Sequence, residues 1–487
     1  MYRRRTLAAA GLVMLLGVVA LTAARTPQPP GAKAPTGNVR DHGAKGDGVA
    51  DDWQAIQNAV DSGAGAVRLP KGVYRVTKPV VIDLDKVGVT AIVGDTVGRV
   101  VMAGDGPAFK FVGTHAGTAA PATVKDDVWE RQRMPSIDGV EIVGDHPNAD
   151  GIAATGTMKL TITRVLIRKC RHGIHLTGRN RNVSISDCHV YQNRGVGVFL
   201  DAVNLHQINV TGCHVSYNDG GGVACVGGEV RNLQVTGCDI ESNHGKDAPP
   251  TANVLIDSTG GTNAEVAITG NTIQHNHTAA GSANIRIKGP TIPDKKTPER
   301  RDGHVTITGN VLSDVATNIH LTHARGVVVT GNTAWMAFGH NLLVEDSAHV
   351  VVGANGFERN PRYGYGDSEK ASNAVAFRNC ADCTITGLHV SRVTGADAGV
   401  SLENCDRFNI SNMTVLDCDR AGVSLKDVTN SRLSGCLIRD DRAGAESVSV
   451  RTSGGRDTAI TDNYLGRPHD ILAGVGVVAR NVEPWKK

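Results

Sequence analysis

Asp201, Asp257, Arg286 and Lys288 fall at matching places in a recurring five-residue pattern, and together they could do acid–base chemistry on a charged sugar. The pattern runs Gly173-Ile-His175-Leu-Thr177, Gly197-Val-Phe199-Leu-Asp201, Gly222-Val-Ala224-Cys-Val226, Asn253-Val-Leu255-Ile-Asp257, Asn284-Ile-Arg286-Ile-Lys288 and Asn318-Ile-His320-Leu-Thr322. Period-2 alternation turns the third and fifth residues of each copy to one face. If the copies stack as neighbouring strands, Asp201 and Asp257 stand two layers, about 9–10 Å, apart. That is the upper end of the roughly 6.5–9.5 Å at which an acid and a base flank a water in inverting glycoside hydrolysis. Arg286 and Lys288, one layer beyond Asp257, could hold a uronate carboxylate, and Lys288 or His320 could be the base of an eliminase. The candidate catalytic residues are therefore Asp201, Asp257 and Lys288, with His175, Arg286 and His320 as substrate contacts. The plain alternative is a solvated face, since the outside of any regular stack carries scattered charge.

Such a face needs a scaffold that repeats a short strand many times. Between Asn182 and Gly245, Cys188-His-Val-Tyr191, Cys213-His-Val-Ser216 and Cys238-Asp-Ile-Glu241 follow one another at 25 residues. Taking the apolar residue before each such turn as an anchor gives Ile162, Ile185, Val210, Val235, Ile268, Ile307, Val329, Val352, Ile385, Ile410, Leu433 and Ile460. Eight of the eleven steps span 22–27 residues, the length of one coil of three short strands. The expected fold is all-β: a single-stranded right-handed parallel β-helix of about twelve coils. Long steps mark insertions. Asn243 to Asn253 takes 10 residues where Asn193 to Gly197 takes 4, and Lys288 to Ile307 takes 19 where Asp201 to Val210 takes 9. Long loops on a regular scaffold wall functional sites, and these two bracket Asp257, Arg286 and Lys288. A third insertion, Asn360 to Ala374, adds Arg362, Tyr363 and Tyr365 as substrate contacts, the tyrosines suited to sugar-ring stacking.

Stacking turns the repeat into columns. Cys188, Cys213, Cys238, Asn271, Asn310, Asn332 and Asn355 share one position, with Cys436 and Asn463 returning to it; Cys170, Asn193, Asn218, Asn243, Asn276, Asn360 and Cys418 share a second. Asn suits turn geometry and can bond along a ladder, and Cys fills the same slot as a small apolar group. Stacked cysteines point their Cβ atoms the same way, so free thiols are expected from all ten. Cys380-x-x-Cys383 lacks the second half of a zinc site, and no metal is expected, although exposed acids leave calcium open. His189, His214 and Asp239, stacked beside the Cys column, read as a repeated surface ladder because no insertion walls them.

Composition agrees with this picture. Glycine makes up 58 of 487 residues and aromatics only 4%, which suits short strands and tight turns. Basic and acidic residues number 51 and 48, so no charge points to nucleic acid; a polysaccharide is the expected partner. Arg3-Arg4-Arg5 before an apolar run from Leu7 to Ala24 predicts an export segment over 1–24 or a membrane anchor if it stays uncleaved. Arg4-Arg5-Thr6-Leu7 also resembles a twin-arginine signal. A Pro-rich linker over 25–37 would lead into the β-helix over 38–480, and the protein is expected outside the cytoplasm.

Two stretches resemble known families. Asp41-His-Gly-Ala-Lys-Gly-Asp47-Gly-Val-Ala-Asp51-Asp52, the helix signal after it, and Leu69-Pro-Lys-Gly-Val-Tyr74 resemble the opening of pectate-lyase-superfamily proteins. The resemblance implies an N-terminal helix capping a right-handed parallel β-helix, with Asp47, Asp51 and Asp52 as turn and cap residues; Gln54 would complete a capping box with Asp51. Asn148-Ala-Asp150-Gly151 and Arg286-Ile-Lys288 are similar to two polygalacturonase motifs. The acidic pair and Gly-His-Gly that this family needs between them are replaced by Arg171-His172 and Gly195-Val-Gly197, leaving Asp150 as a turn residue. Mannuronan epimerases share the opening motif, but their Y-G-x-D-P-H signature is absent. The function expected is a carbohydrate-active enzyme cleaving a uronate-containing polysaccharide by β-elimination or hydrolysis, or else a non-catalytic glycan binder.

Overall fold

In the computed structural model, which describes residues 36–290, 303–359 and 368–486, the chain winds into a right-handed parallel β-helix. Each coil has three short strands, seen in Val183–Ser186, His189–Tyr191 and Val196–Asp201, and each strand pairs in parallel with the equivalent strands one coil before and after. We call the three resulting faces the first, second and third sheets. The twelve anchors form one unbroken column on the first sheet, from the Ile162–Ile185 pair to the Leu433–Ile460 pair. Val67, Ile92 and Ile137 extend it backwards and Val478 forwards, so the estimate of twelve coils was low. Inward-facing Val, Ile and Leu from all three sheets fill the interior, and buried Phe109, Phe111, Phe357, Phe377 and Phe408 serve as occasional wide fillers.

The turn from first to second sheet explains the cysteine column. It needs one left-handed residue, supplied by Gly212, Gly237, Gly270 and Gly309 at φ of 62–67°. The next residue then points its side chain into the helix. There the Cys238 amide donates to Asn271 Oδ1 (2.9 Å), Asn271 to Asn310 (3.1 Å), Asn310 to Asn332 (3.0 Å) and Asn332 to Asn355 (2.9 Å). Each asparagine thus satisfies a buried amide in the coil before it, which backbone pairing alone leaves unmet. All ten cysteines are buried and none is in a disulfide.

The second column departs from expectation at one place. Its amides donate from Cys170 to Asn193, from Asn193 to Asn218 and from Asn218 to Asn243, and then to Asn253 rather than Asn276. Asn284, Asn318 and Asn341 continue that line, while Asn276 turns aside to Thr278. Sterics explain the switch. A Cβ at Gly197 would lie 2.8 Å from Asn218 Nδ2 and one at Gly222 2.9 Å from Asn243 Nδ2, so a corner asparagine requires glycine at the start of the third-sheet strand one coil before it. In the next four coils the strand-start residue itself is asparagine (Asn253, Asn284, Asn318 and Asn341) and fills the slot. Asn360 lies outside the described residues.

Helix α1 (Trp53–Asp61) covers the first coil with Ile56, Ala59 and Val60. The expected capping box does not form: Asp51 accepts from the Trp53 amide and from Thr77, Asp52 is the N-cap residue but accepts from the Lys45 and Gly46 amides, and Gln54 reaches Asn58. The acids of the opening motif tie loops to the helix rather than closing its first turn.

Replacing Asn310 with Ala should shift the urea unfolding midpoint down, with a loss of about 2–3 kcal/mol, because the Asn271 amide and Ile268 carbonyl lose buried partners. Asn310→Cys, which repeats the chemistry of Cys238, should lose clearly less.

Candidate functional site

The third sheet presents two outward files. One runs His175, Phe199, Ala224, Leu255, Arg286, His320, Leu343, Ala376, Ser401, Ser424 and Arg451; the other runs Thr177, Asp201, Val226, Asp257, Lys288, Thr322, Glu345, Arg378, Glu403 and Lys426. Arg451 ends the first file, and Ser453 stands beside Lys426 in the second.

The files differ in chemistry. In the second, acid and base meet on neighbouring strands: Lys288 Nζ lies 3.1 Å from Asp257, Arg378 3.1 Å from Glu345 and Lys426 2.6 Å from Glu403. Burial pushes the Asp257 carboxyl up, but the Thr259 hydroxyl and amide and the Lys288 ammonium outweigh it and hold the group below the usual carboxylate range. Burial likewise raises Glu345, and His320 and Arg378 more than reverse it. These charges stay ionised in pairs. Asp201 is separated from Asp257 by Val226, as the spacing predicts, and accepts from His175 Nε2 at 3.0 Å, with the His175 ring stacked on Phe199.

The first file is less self-satisfied. Arg286 donates to the carbonyls of Thr251 (3.2 Å), in the 243–253 insertion, and Gly281 (2.5 Å), in the corner before its own strand, so it braces both against the sheet. Residues 291–302 of the other insertion beside it lie outside the described residues. Its buried Nε has no protein partner among the described residues. His320, on the next strand, holds Glu345 at 2.9 Å and Thr322 at 3.1 Å through Nε2. Burial and nearby Arg286 draw its pKa below the ordinary imidazole value despite Glu345. The bond to Glu345 places a proton on Nε2 and leaves Nδ1 as the basic nitrogen. Arg362, Tyr363 and Tyr365 lie outside the described residues.

A walled cleft opens farther along this face than the insertions suggest. About 360 Å³ is enclosed between the 395–398 corner and a floor of Ser401 and Ser424, with His340, Arg378, Glu403 and Lys426 around it. Burial and Arg378 push His340 down to about 4, so it is neutral. Gly395 also lines a second cleft of about 590 Å³ bounded by Arg420, Arg442 and Arg451. Sequence reasoning missed this floor because its mark is two small outward serines between charged neighbours. It also missed Asp314, which binds both His275 and His277 (the latter at 2.8 Å) at the corner before the third sheet, with His277 stacked on Phe338. Those groups come from an inserted turn and two corner positions, which no strand column collects.

Other candidates resolve simply. Asp150 is buried at the start of Ala149–Thr155 rather than in a turn, and Arg171 and the His172 amide hold it. The His189 and His214 rings stack 4.9 Å apart and Asp239 stands 3.6 Å from His214, an exposed ladder. Among the described residues no group of three or more His, Cys, Asp or Glu side chains is placed to hold a metal ion.

The model for the family described as "Right handed beta helix region" matches residues 128–276 and 367–481, together more than half of the chain. The chain belongs to that family. A model described as "Rhamnogalacturonase A/epimerase, pectate lyase-like" matches residues 36–134. Alginate lyase 7 and mannuronan C5-epimerase AlgE5, both of Azotobacter vinelandii, are 57% identical to it over 44 residues, which is 8% of this chain and only 5% and 4% of theirs. Among solved structures, the AlgE4 A-module of Azotobacter vinelandii mannuronan C-5 epimerase is 16% identical, with coverage of 91% of this chain and 99% of that one and a TM-score of 0.36. The tailspike gp61 of Pseudomonas phage phi297 is 15% identical, with coverage of 87% and 81% and a TM-score of 0.46.

Four histidines, His115, His172, His244 and His340, are pushed to about 4, burial being the first cause of each. An unfolded chain binds protons on these groups near 6.5 while the folded one does not, so their stabilisation is complete above pH 6.5 and lost as pH falls toward 4. Urea midpoints should decline steadily over that window, before the carboxylates titrate.

Proposed function

We propose that this β-helix protein acts on a uronate-containing polysaccharide laid along the third sheet, cleaving it by β-elimination. One observation carries the reading: a neutral, partly buried His320 stands next to Arg286 on the floor, while the neighbouring carboxylates are paired and ionised. Elimination needs a cation to stabilise charge on the substrate carboxylate and a neutral base for the proton on the adjacent ring carbon. Arg286 supplies the first and His320 Nδ1 the second. The C–H electron pair forms the new C=C bond, the glycosidic C–O bond breaks, and the leaving oxygen takes a proton from water. In hydrolysis through Asp201 and Asp257, Asp257 could not be the protonated acid, because Lys288 and Thr259 hold it ionised. In this reading Asp257 and Lys288 keep the floor in shape and bind substrate hydroxyls. The short stretch shared with an alginate lyase and mannuronan epimerases is consistent with the substrate class. Export through the basic, apolar N-terminus, cleaved or kept as an anchor, would bring the protein to such polymers.

A binding-only role is the second reading, favoured by the ion pairing along the Asp257 file. Incubation with a panel of uronate polymers separates the two. Elimination yields unsaturated-uronate absorbance together with reducing ends, and His320→Gln should lower kcat by about 10²–10³-fold. Reducing ends without absorbance would replace elimination by hydrolysis. Retention of polymer without either product would leave binding alone.

A further inference from the structure

The two clefts joined at Gly395 extend the floor well beyond His320. From His320 the first file passes Leu343, Ala376, Ser401 and Ser424 to Arg451, five strand spacings or about 24 Å. Small side chains on the last strands leave the trough open, and Arg451 stands at its far end among the residues bounding the 590 Å³ cleft. The surrounding arginines are committed to the fold. Arg442 bonds Asp440 and Asp419, and the other Asp419 oxygen accepts the Gly395 amide at 3.0 Å. Arg420 is held by Asp397. Arg451 differs: its nearest carboxylate, Asp470, lies 3.6 Å away, beyond hydrogen-bond range, in an exposed pairing of little strength.

We propose that Arg451 is a distal carboxylate subsite, which receives a second uronate of the chain whose reacting sugar lies over His320. This rests on the uronate reading of the same face and adds a length requirement to it. Only a chain long enough to span the trough touches Arg451. The protein therefore prefers polymer to short fragments, and the preference weakens as salt screens the exposed contact.

The test measures binding of size-fractionated oligouronates to wild-type protein, Arg451→Ala and Arg451→Lys. Arg451→Ala should weaken binding of the long fraction about five- to tenfold, leave the short fraction unchanged, and keep kcat at saturation. Arg451→Lys should restore part of the loss, since it keeps charge but not the planar fork. A carboxyl-reduced polymer should not distinguish the three proteins. Equal weakening on long and short fractions, or none on either while wild type still binds, would overturn the subsite and leave the uronate reading standing. Failure of wild type to bind or cleave any uronate polymer would remove both. Unfolding midpoints of the variants should match wild type, because the Arg451 side chain makes no hydrogen bond among the described residues.

Discussion

Everything in this molecule depends on one coil settling in register on the last. Parallel backbone pairing fixes the layer spacing, but each corner leaves an inward amide that pairing does not reach. The asparagine ladder closes that gap along part of its length by lending a coil an acceptor from the next, as in the run from Asn271 through Asn310 and Asn332 to Asn355. Register kept in this way makes outward side chains line up in files. A face fit for a polymer is thus a by-product of how the core is satisfied.

The two files of the third sheet show how the same geometry can serve opposite ends. Where adjacent layers carry opposite charges, as at Asp257 and Lys288 or Glu403 and Lys426, the side chains satisfy one another across the strands. Where adjacent layers carry like or neutral groups, as at Arg286 and His320, burial pushes pKa values below their ordinary positions. The corners contribute indirectly. The carbonyls of Thr251 and Gly281 hold the Arg286 guanidinium, so the corners before the strands of Asp257 and Arg286 orient a cation.

Much of this was legible in the sequence. Each of the twelve anchors pairs with the next one named, and the outward files follow period-2 alternation almost without error, because parallel stacking copies spacing directly into contact. The ion pair of Asp257 with Lys288 follows from the same spacing, since the two occupy one file in neighbouring layers. What did not follow was anything set by side-chain volume or corner path. The Asn243 ladder crosses to Asn253 because of a steric exchange with glycine that no spacing reveals. The cleft over Ser401 and Ser424 exists because those residues are small and the 395–398 corner rises beside them. Asp51, expected to form a capping box with Gln54, bonds the Trp53 amide and Thr77, the latter a partner distant in sequence.

The central claim is that the third sheet, and its His320 file in particular, is where a uronate chain lies. A crystal structure of the protein with a bound oligouronate tests it most directly. The account predicts a chain running along the helix axis over His320 toward Ser401 and Ser424, with a carboxylate at Arg286. A chain seated on the second sheet, or across the ladder of His189, His214 and Asp239, would contradict it.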